Sequence, residues 1–168
     1  MERTADMILF EEMTEKDFQE IYSHRLVEVA KELSDLFNLE LEDTIKQAET
    51  AYKKSLPKGF KTPNRFFYFI LKERNKERVG YIWFWSSPES FMKQAILIAD
   101  IVIFEEYRKK GFAKQALILL ENEVEALGFN KIVLHVFKRN KIAKHLYEGL
   151  GYEVVQTTDT GFQLMKQL

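Results

Sequence analysis

Cysteine is absent from this chain of 168 residues. No disulfide scaffold can form, Cys-ligated zinc is excluded, and so is any route through an acyl-cysteine. The three histidines, His24, His135 and His145, are far apart and lack a metal-ligand spacing, so no metal is expected. Proline numbers three and glycine seven, and there is neither an internal repeat nor a low-complexity tract. No run of 18 apolar residues is present, which argues against a membrane span. The stretch Met1-Glu2-Arg3-Thr4-Ala5-Asp6 lacks the basic-then-apolar order of a signal peptide, so a cytoplasmic location is expected. A strongly basic balance is missing too: the net charge is −1, whereas nucleic-acid-binding domains are expected to be basic.

The residues that are present suit one soluble domain covering 1–168. Hydrophobic residues make up 46% and charged residues 30%, and the length is sufficient to bury a core. Charge is unevenly spread. From Arg108 to Leu168, 10 Lys and Arg stand against 6 Asp and Glu, and the preceding residues carry the acidic excess. The acidic part would suit a cationic acceptor, unless the unevenness is only ordinary surface variation.

Periodicity gives the order of elements. Asp6 to Glu11 has the character of a short strand. Thr14, with Asp17 three residues on, starts a helix as a capping box, and Phe18, Ile21, Tyr22, Leu26, Val29, Leu33 and Leu36 recur on one face. A second helix spans roughly Leu41 to Lys54. Pro57, Gly59 and Pro63 mark a loop over 56–64, placed as a hinge or rim. Arg65–Glu73 and Arg78–Trp85 are aromatic, β-branched runs joined by a hairpin turn at Arg74–Glu77, and Ser86-Ser87-Pro88-Glu89 ends the second. A long apolar strand covers Gln94–Phe104. Then come a helix at Ala113–Leu127 closed by Gly128, a strand at Lys131–Phe137, a helix at Asn140–Leu150 closed by Gly151, and strands at 152–157 and 160–165. This alternation predicts a mixed α/β fold in three layers.

The segment Arg108-Lys109-Lys110-Gly111-Phe112-Ala113 lies where the apolar strand passes into the third helix. A glycine there lets backbone approach a ligand closely. The first amides of a helix have no internal partner. Together with the helix dipole and three basic side chains they form a cradle for pyrophosphate. Asn140 follows 27 residues after Ala113, and Tyr147 seven residues after that.

Arg108-x-x-Gly111-x-Ala113 resembles the (Gln/Arg)-x-x-Gly-x-(Gly/Ala) acetyl-CoA signature of the GNAT N-acetyltransferase superfamily. Asn140-x-x-Ala143-x-x-x-Tyr147-x-x-x-Gly151-Tyr152 resembles that family's second motif. Either alone is a weak pattern, but together, in this order and on the expected elements, they are specific. The resemblance implies an α/β/α fold whose mixed sheet is splayed at its centre, between the fourth and fifth strands, with acetyl-CoA as cosubstrate in the cleft. It also implies that backbone amides from Lys109 to Lys114, including those of Lys110, Gly111, Phe112 and Ala113, hold the pyrophosphate. Lys109, Lys110 or Lys114 would meet the 3′-phosphate. Lys109 stands where many members carry glycine, which makes the turn stiffer.

The same resemblance implies that backbone of Ile101, Val102 and Ile103 bonds the pantetheine arm like an added strand, and that an N–H there faces the thioester oxygen. Asn140, a favoured helix cap in its own right, would also contact the cofactor, with Ala143 beside it. Tyr147 matches the family's general acid, able to protonate the departing thiolate. His135 and Asp100 are both candidates for the general base, and a water relay could replace either. Tyr81, Trp83, Trp85 and Phe66–Phe69 suit a core better than an acceptor pocket.

The implied activity is direct transfer of an acetyl group to a primary amine on a small molecule or a protein. A non-catalytic acyl-CoA-binding regulatory module is the alternative, against which Tyr147 argues, because a sensor needs no acid. Nucleic-acid binding through Lys138, Arg139, Lys141 and Lys144 is set aside on net charge. Neither nucleic acid nor membrane is expected as a partner, and the chain would be a monomer or homodimer.

Overall fold

Seven strands and four helices form where the hydrophobic spacing places them, in a computed structural model that describes residues 6–86 and 94–168. They are β1 (Ile8–Glu12), α1 (Glu15–Phe37), α2 (Leu41–Ser55), β2 (Arg65–Lys72), β3 (Arg78–Ser86), β4 (Ala95–Ile103), α3 (Phe112–Ala126), β5 (Lys131–Phe137), α4 (Lys141–Gly149), β6 (Glu153–Thr157) and β7 (Gly161–Gln167). Short 3-10 turns occur at Gly59–Lys61 and Glu105–Tyr107. The expected break at Ser87-Pro88-Glu89 lies outside the described residues. No helix among the described residues is long and apolar enough to cross a membrane.

Boundaries differ from the sequence expectation for local reasons. Gly111, at φ +84°, is the cap of α3, so that helix starts at Phe112 rather than Ala113, and Gly128 follows its C-cap at φ +86°. Asn140 caps α4 from outside the helix, its Oδ1 accepting from the Ala143 N–H at 3.1 Å. β7 runs past Met165 because Lys166 and Gln167 find partners opposite Ile132 and Lys131.

Two compact units make up the chain. The first, Met13–Arg65, is a helical pair. Thr14 and Asp17 satisfy each other's backbone N–H as the capping box requires. Leu26, Ala30 and Ala48 are buried between the helices, with Tyr22 meeting Tyr52 edge-on at 5.1 Å. The 56–64 loop is tied by Thr62, whose hydroxyl accepts from the Lys58 N–H and donates to the Gly59 carbonyl.

The other unit holds the sheet, in the order β1-β2-β3-β4-β5-β7-β6. β4 and β5 are parallel, and β3–β4, β5–β7 and β6–β7 are antiparallel. Its core joins Ile82, Phe84, Ile98, Leu134 and Val136 of the sheet to Ala116, Leu117 and Leu120 of α3 and to Tyr147 of α4.

Two irregularities shape the centre. Parallel pairing of β4 with β5 covers only Ala95–Ile98 against Lys131–Leu134. Beyond that point β4 stays on β3 and β5 stays on β7, so the two strands splay as expected. Second, Trp83 pairs with Asp100 but Phe84 with Ile98, which leaves Ala99 as a β-bulge.

Candidate active site

Among the described residues, the splay leaves one edge of β4 from Asp100 to Ile103 without a strand partner, while its other edge bonds β3. Backbone N–H and C=O groups on that open edge are strong bonding groups that an extended chain can satisfy. The sequence placed Ile101, Val102 and Ile103 here. Ile101 and Ile103 turn their side chains to the core, and Val102 is half-buried.

Past the end of β4 the chain makes a left-handed kink twice. Lys109 has φ +60° and Gly111 φ +84°. Glycine adopts this freely, whereas an L side chain carries a cost of roughly 1–2 kcal/mol. Lys109 therefore accepts the conformation that glycine would take without strain. A Cβ at Gly111 would meet nothing within 4 Å, so the space in front of the turn is open. No side chain caps α3, and Gln115 donates to the Gly111 carbonyl at 3.1 Å. The amides before it are the unspent donors of a helix start, and the dipole there favours an anion.

The basic side chains of the turn divide their work. Arg108 Nε donates to the Ile103 carbonyl at 3.0 Å, and Lys110 Nζ donates to the Glu106 carbonyl at 2.8 Å. Both brace the turn. Lys109 and Lys114 are exposed, Ala113 is half-buried and Phe112 is buried as the first residue of α3.

The charge of Asp100 acts on Tyr147 from a distant part of the chain. Tyr147 is 7% exposed, its ring edge-on to Tyr152 at 5.9 Å. Burial, and then the negative charge of Asp100, push its hydroxyl up to about 12. It therefore stays protonated at neutral pH. Asp100 is half-buried and accepts from the Tyr81 hydroxyl at 3.3 Å. A raised tyrosine makes stability full below the ordinary value of 10.0 and lost as pH rises through about 12. The urea midpoint should accordingly fall in that alkaline window, and less steeply in a Tyr147→Phe variant.

His135 lies one residue beyond the last β4–β5 pair. It is exposed, and its Nε2 meets the Thr158 and Thr160 hydroxyls at 3.3 and 3.1 Å, with partial desolvation lowering its pKa. The β6–β7 turn thus holds this imidazole. Asn140 spends its Oδ1 on the Ala143 N–H and keeps two amide protons for another acceptor. Ala143 and Leu146 pack toward Tyr147's core. Phe67, Phe69, Tyr81 and Trp83 are buried, as a core requires. No group of three His, Asp or Glu among the described residues is arranged to hold a metal ion.

The arrangement offers amides at a helix start, an open strand edge and a protonated hydroxyl that feels the charge of a carboxylate. The sequence carries no sign of the Ala99 bulge or of the charge of Asp100 acting on Tyr147 beyond the interruption of an apolar strand by Asp100.

Comparison with known proteins identifies the family. Residues 30–152 match the family described as Acetyltransferase (GNAT) family. That match runs through both units. The chain is 30% identical to the uncharacterized N-acetyltransferase YdgE of Bacillus subtilis (strain 168), over 94% of this chain and 96% of that protein. The crystal structure of YycN from Bacillus subtilis superimposes with a TM-score of 0.83 at 28% identity, covering 96% of this chain and 99% of that one. The PaiA N-acetyltransferase of Thermoplasma acidophilum, solved in complex with coenzyme A, shares the fold at a TM-score of 0.65 and 17% identity, over 96% and 99% of the two chains. The profile match and the near full-length relative together establish that this chain belongs to the GNAT family of acetyltransferases.

Proposed function

We propose that the whole chain works as one domain that transfers an acetyl group directly from acetyl-CoA to a primary amine. The observation that carries this reading is the open β4 edge that leads to the start of α3, where no side chain takes up the first amides, on the sheet whose core holds Tyr147. The names of the Bacillus relatives and the coenzyme A held by the Thermoplasma protein support it.

The residues present fit the cosubstrate. Amides from Lys109 to Lys114 hold the pyrophosphate, with open space at Gly111 for its approach. Lys109 and Lys114, exposed on the turn and the first helical turn, serve the 3′-phosphate. The β4 edge at Ile101–Ile103 bonds the pantetheine arm, and an N–H of that edge donates to the thioester oxygen as charge develops. The Asn140 amide bonds the same arm.

The thioester supplies an activated acetyl group with a thiolate leaving group. Asp100 receives the amine's proton, directly or through water, so that a neutral nitrogen attacks. Tyr147 gives its proton to the sulfur as the C–S bond breaks. Asp100 is preferred to His135 as the base because its charge acts on Tyr147 and it lies on the open β4 edge, whereas His135 is held by two threonines. The acceptor is a small molecule or a protein, and the cytoplasm is its proposed setting.

Calorimetric titration with acetyl-CoA, CoA and 3′-dephospho-CoA tests the cofactor assignment. The first two should bind alike, and loss of the 3′-phosphate should weaken binding by roughly tenfold, the effect of one charge-assisted contact. Absence of binding by folded protein would overturn the assignment. Binding without turnover on any amine of a broad panel would instead identify a non-catalytic acyl-CoA module.

A further inference from the structure

Tyr107 stands on the 3-10 turn between β4 and the anion-binding turn, next to Arg108. Its hydroxyl donates to Glu77 Oε1 at 2.5 Å, across 30 residues of sequence. Glu77 belongs to the turn between β2 and β3, whose ends are tied by the Lys72 N–H on the Glu77 carbonyl at 2.9 Å. The other carboxylate oxygen, Oε2, accepts from Lys72 Nζ at 2.7 Å and from Asn75 Nδ2 at 3.4 Å. Lys72 Nζ lies 5.0 Å from the centre of the Tyr107 ring and 6.0 Å from that of Phe112. Lys110 Nζ lies 5.6 Å from the Tyr107 ring, and that ring meets Phe112 edge-on at 6.4 Å. Tyr107 is thus held at its hydroxyl by an anion and over its ring by two cations.

A carboxylate this near an anion-binding turn opposes the anion unless its charge is absorbed elsewhere. Lys72 absorbs it. What the carboxylate does is hold Tyr107, and Tyr107 precedes a turn with two left-handed residues, one of them a lysine. A strained backbone of this kind persists only where its surroundings fix it. Donors already in position cost less to order when the ligand arrives.

Resting on the acetyl-CoA reading above, we propose that Glu77 and Tyr107 are positioning residues for the cosubstrate. The β2–β3 hairpin, remote from the transfer chemistry, sets the pyrophosphate-binding turn through them. The bonds from Lys72, Tyr107 and Asn75 hold the Glu77 carboxyl down to about 2. The bond to Glu77 pushes the Tyr107 hydroxyl up to about 12. The carboxylate's contribution is present above its ordinary value of 4.5 and lost only as pH falls toward about 2, so the brace is constant through neutral pH.

Tyr107→Phe and Glu77→Gln keep the shape of each side chain and test the role. KM for acetyl-CoA and the calorimetric Kd for CoA should rise roughly three- to tenfold, as the binding-competent turn becomes a fraction of the population, with kcat within about twofold. Activity with S-acetyl-pantetheine, which lacks the pyrophosphate, should not change. Hydrogen exchange at the Lys110–Phe112 amides should accelerate. A merely structural role would lower activity with both thioesters alike, and that result overturns the proposal. Unchanged KM, Kd and exchange in the two variants, with wild type binding CoA, overturns it alone. Wild type that fails to bind CoA removes the acetyl-CoA reading and this role together.

Discussion

Replacing Tyr147 by phenylalanine should lower kcat by roughly a hundredfold or more, the range for removal of a positioned general acid, and leave the Kd for acetyl-CoA within about twofold. The substitution removes one oxygen from a ring that the core surrounds, so packing is kept. Its hydroxyl is pushed up to about 12 by burial and by Asp100, and it remains a donor throughout the working pH range. An Asp100→Asn variant should show the complementary defect: slower transfer at neutral pH, recovered in part as the free amine becomes abundant at alkaline pH. Steady-state rates of both variants against pH, beside calorimetry on each, separate chemistry from binding. A Tyr147→Phe enzyme with wild-type kcat would remove Tyr147 from the reaction.

The largest stability effect is expected from Gly161→Ala, at the first residue of β7. The reason is space, since Gly161 does not need a left-handed backbone. An added Cβ would lie 1.9 Å from the Val136 carbonyl oxygen, 2.8 Å from its carbon and 2.9 Å from the Phe137 Cα. All three are backbone atoms of β5, so relief requires the strands to part where Gly161 pairs with Phe137. Overpacking of this kind costs about 3 kcal/mol, or roughly a 10 °C fall in Tm for a domain of this size. Gly128→Ala is the control. Its φ of +86° strains an alanine, but no atom lies within 4 Å, and the cost should be about 1 kcal/mol. Thermal unfolding of the pair decides the matter, and equal midpoints would refute the steric account.

The left-handed turn before α3 and the helix caps were legible because each is set by a few adjacent residues. Gly111 needs no distant partner to adopt φ +84°, and Asn140 bonds an amide three residues away. The element order followed from periodicity for the same reason. Contacts closed by the fold were not legible. Asp100 and Tyr147 are separated by α3 and β5, and no spacing rule links them. Glu77 looked like one more charge in a hairpin turn, yet it bonds a tyrosine 30 positions on. The sequence left two candidate bases open, and the hydrogen bonds of Thr158 and Thr160 to His135 depend on how the chain folds back between β6 and β7.

Ala99 changes the parity of a strand. Side chains on a strand alternate faces, so Ile96 and Ile98 share the core face and an unbroken count would send Asp100 there as well. With Ala99 left unpaired against β3, Ile101 and Ile103 return to the core and Asp100 is released to the opposite face. One inserted residue thus acts as a phase shift. It lets a single strand pack its isoleucines on one face from end to end while carrying a carboxylate on the other. Deleting Ala99 would therefore join Ile98 directly to Asp100 and leave Asp100, Ile101 and Ile103 on the faces they already hold, whereas pairing Ala99 into the ladder would send Asp100 to the core and turn Ile101 and Ile103 out of it.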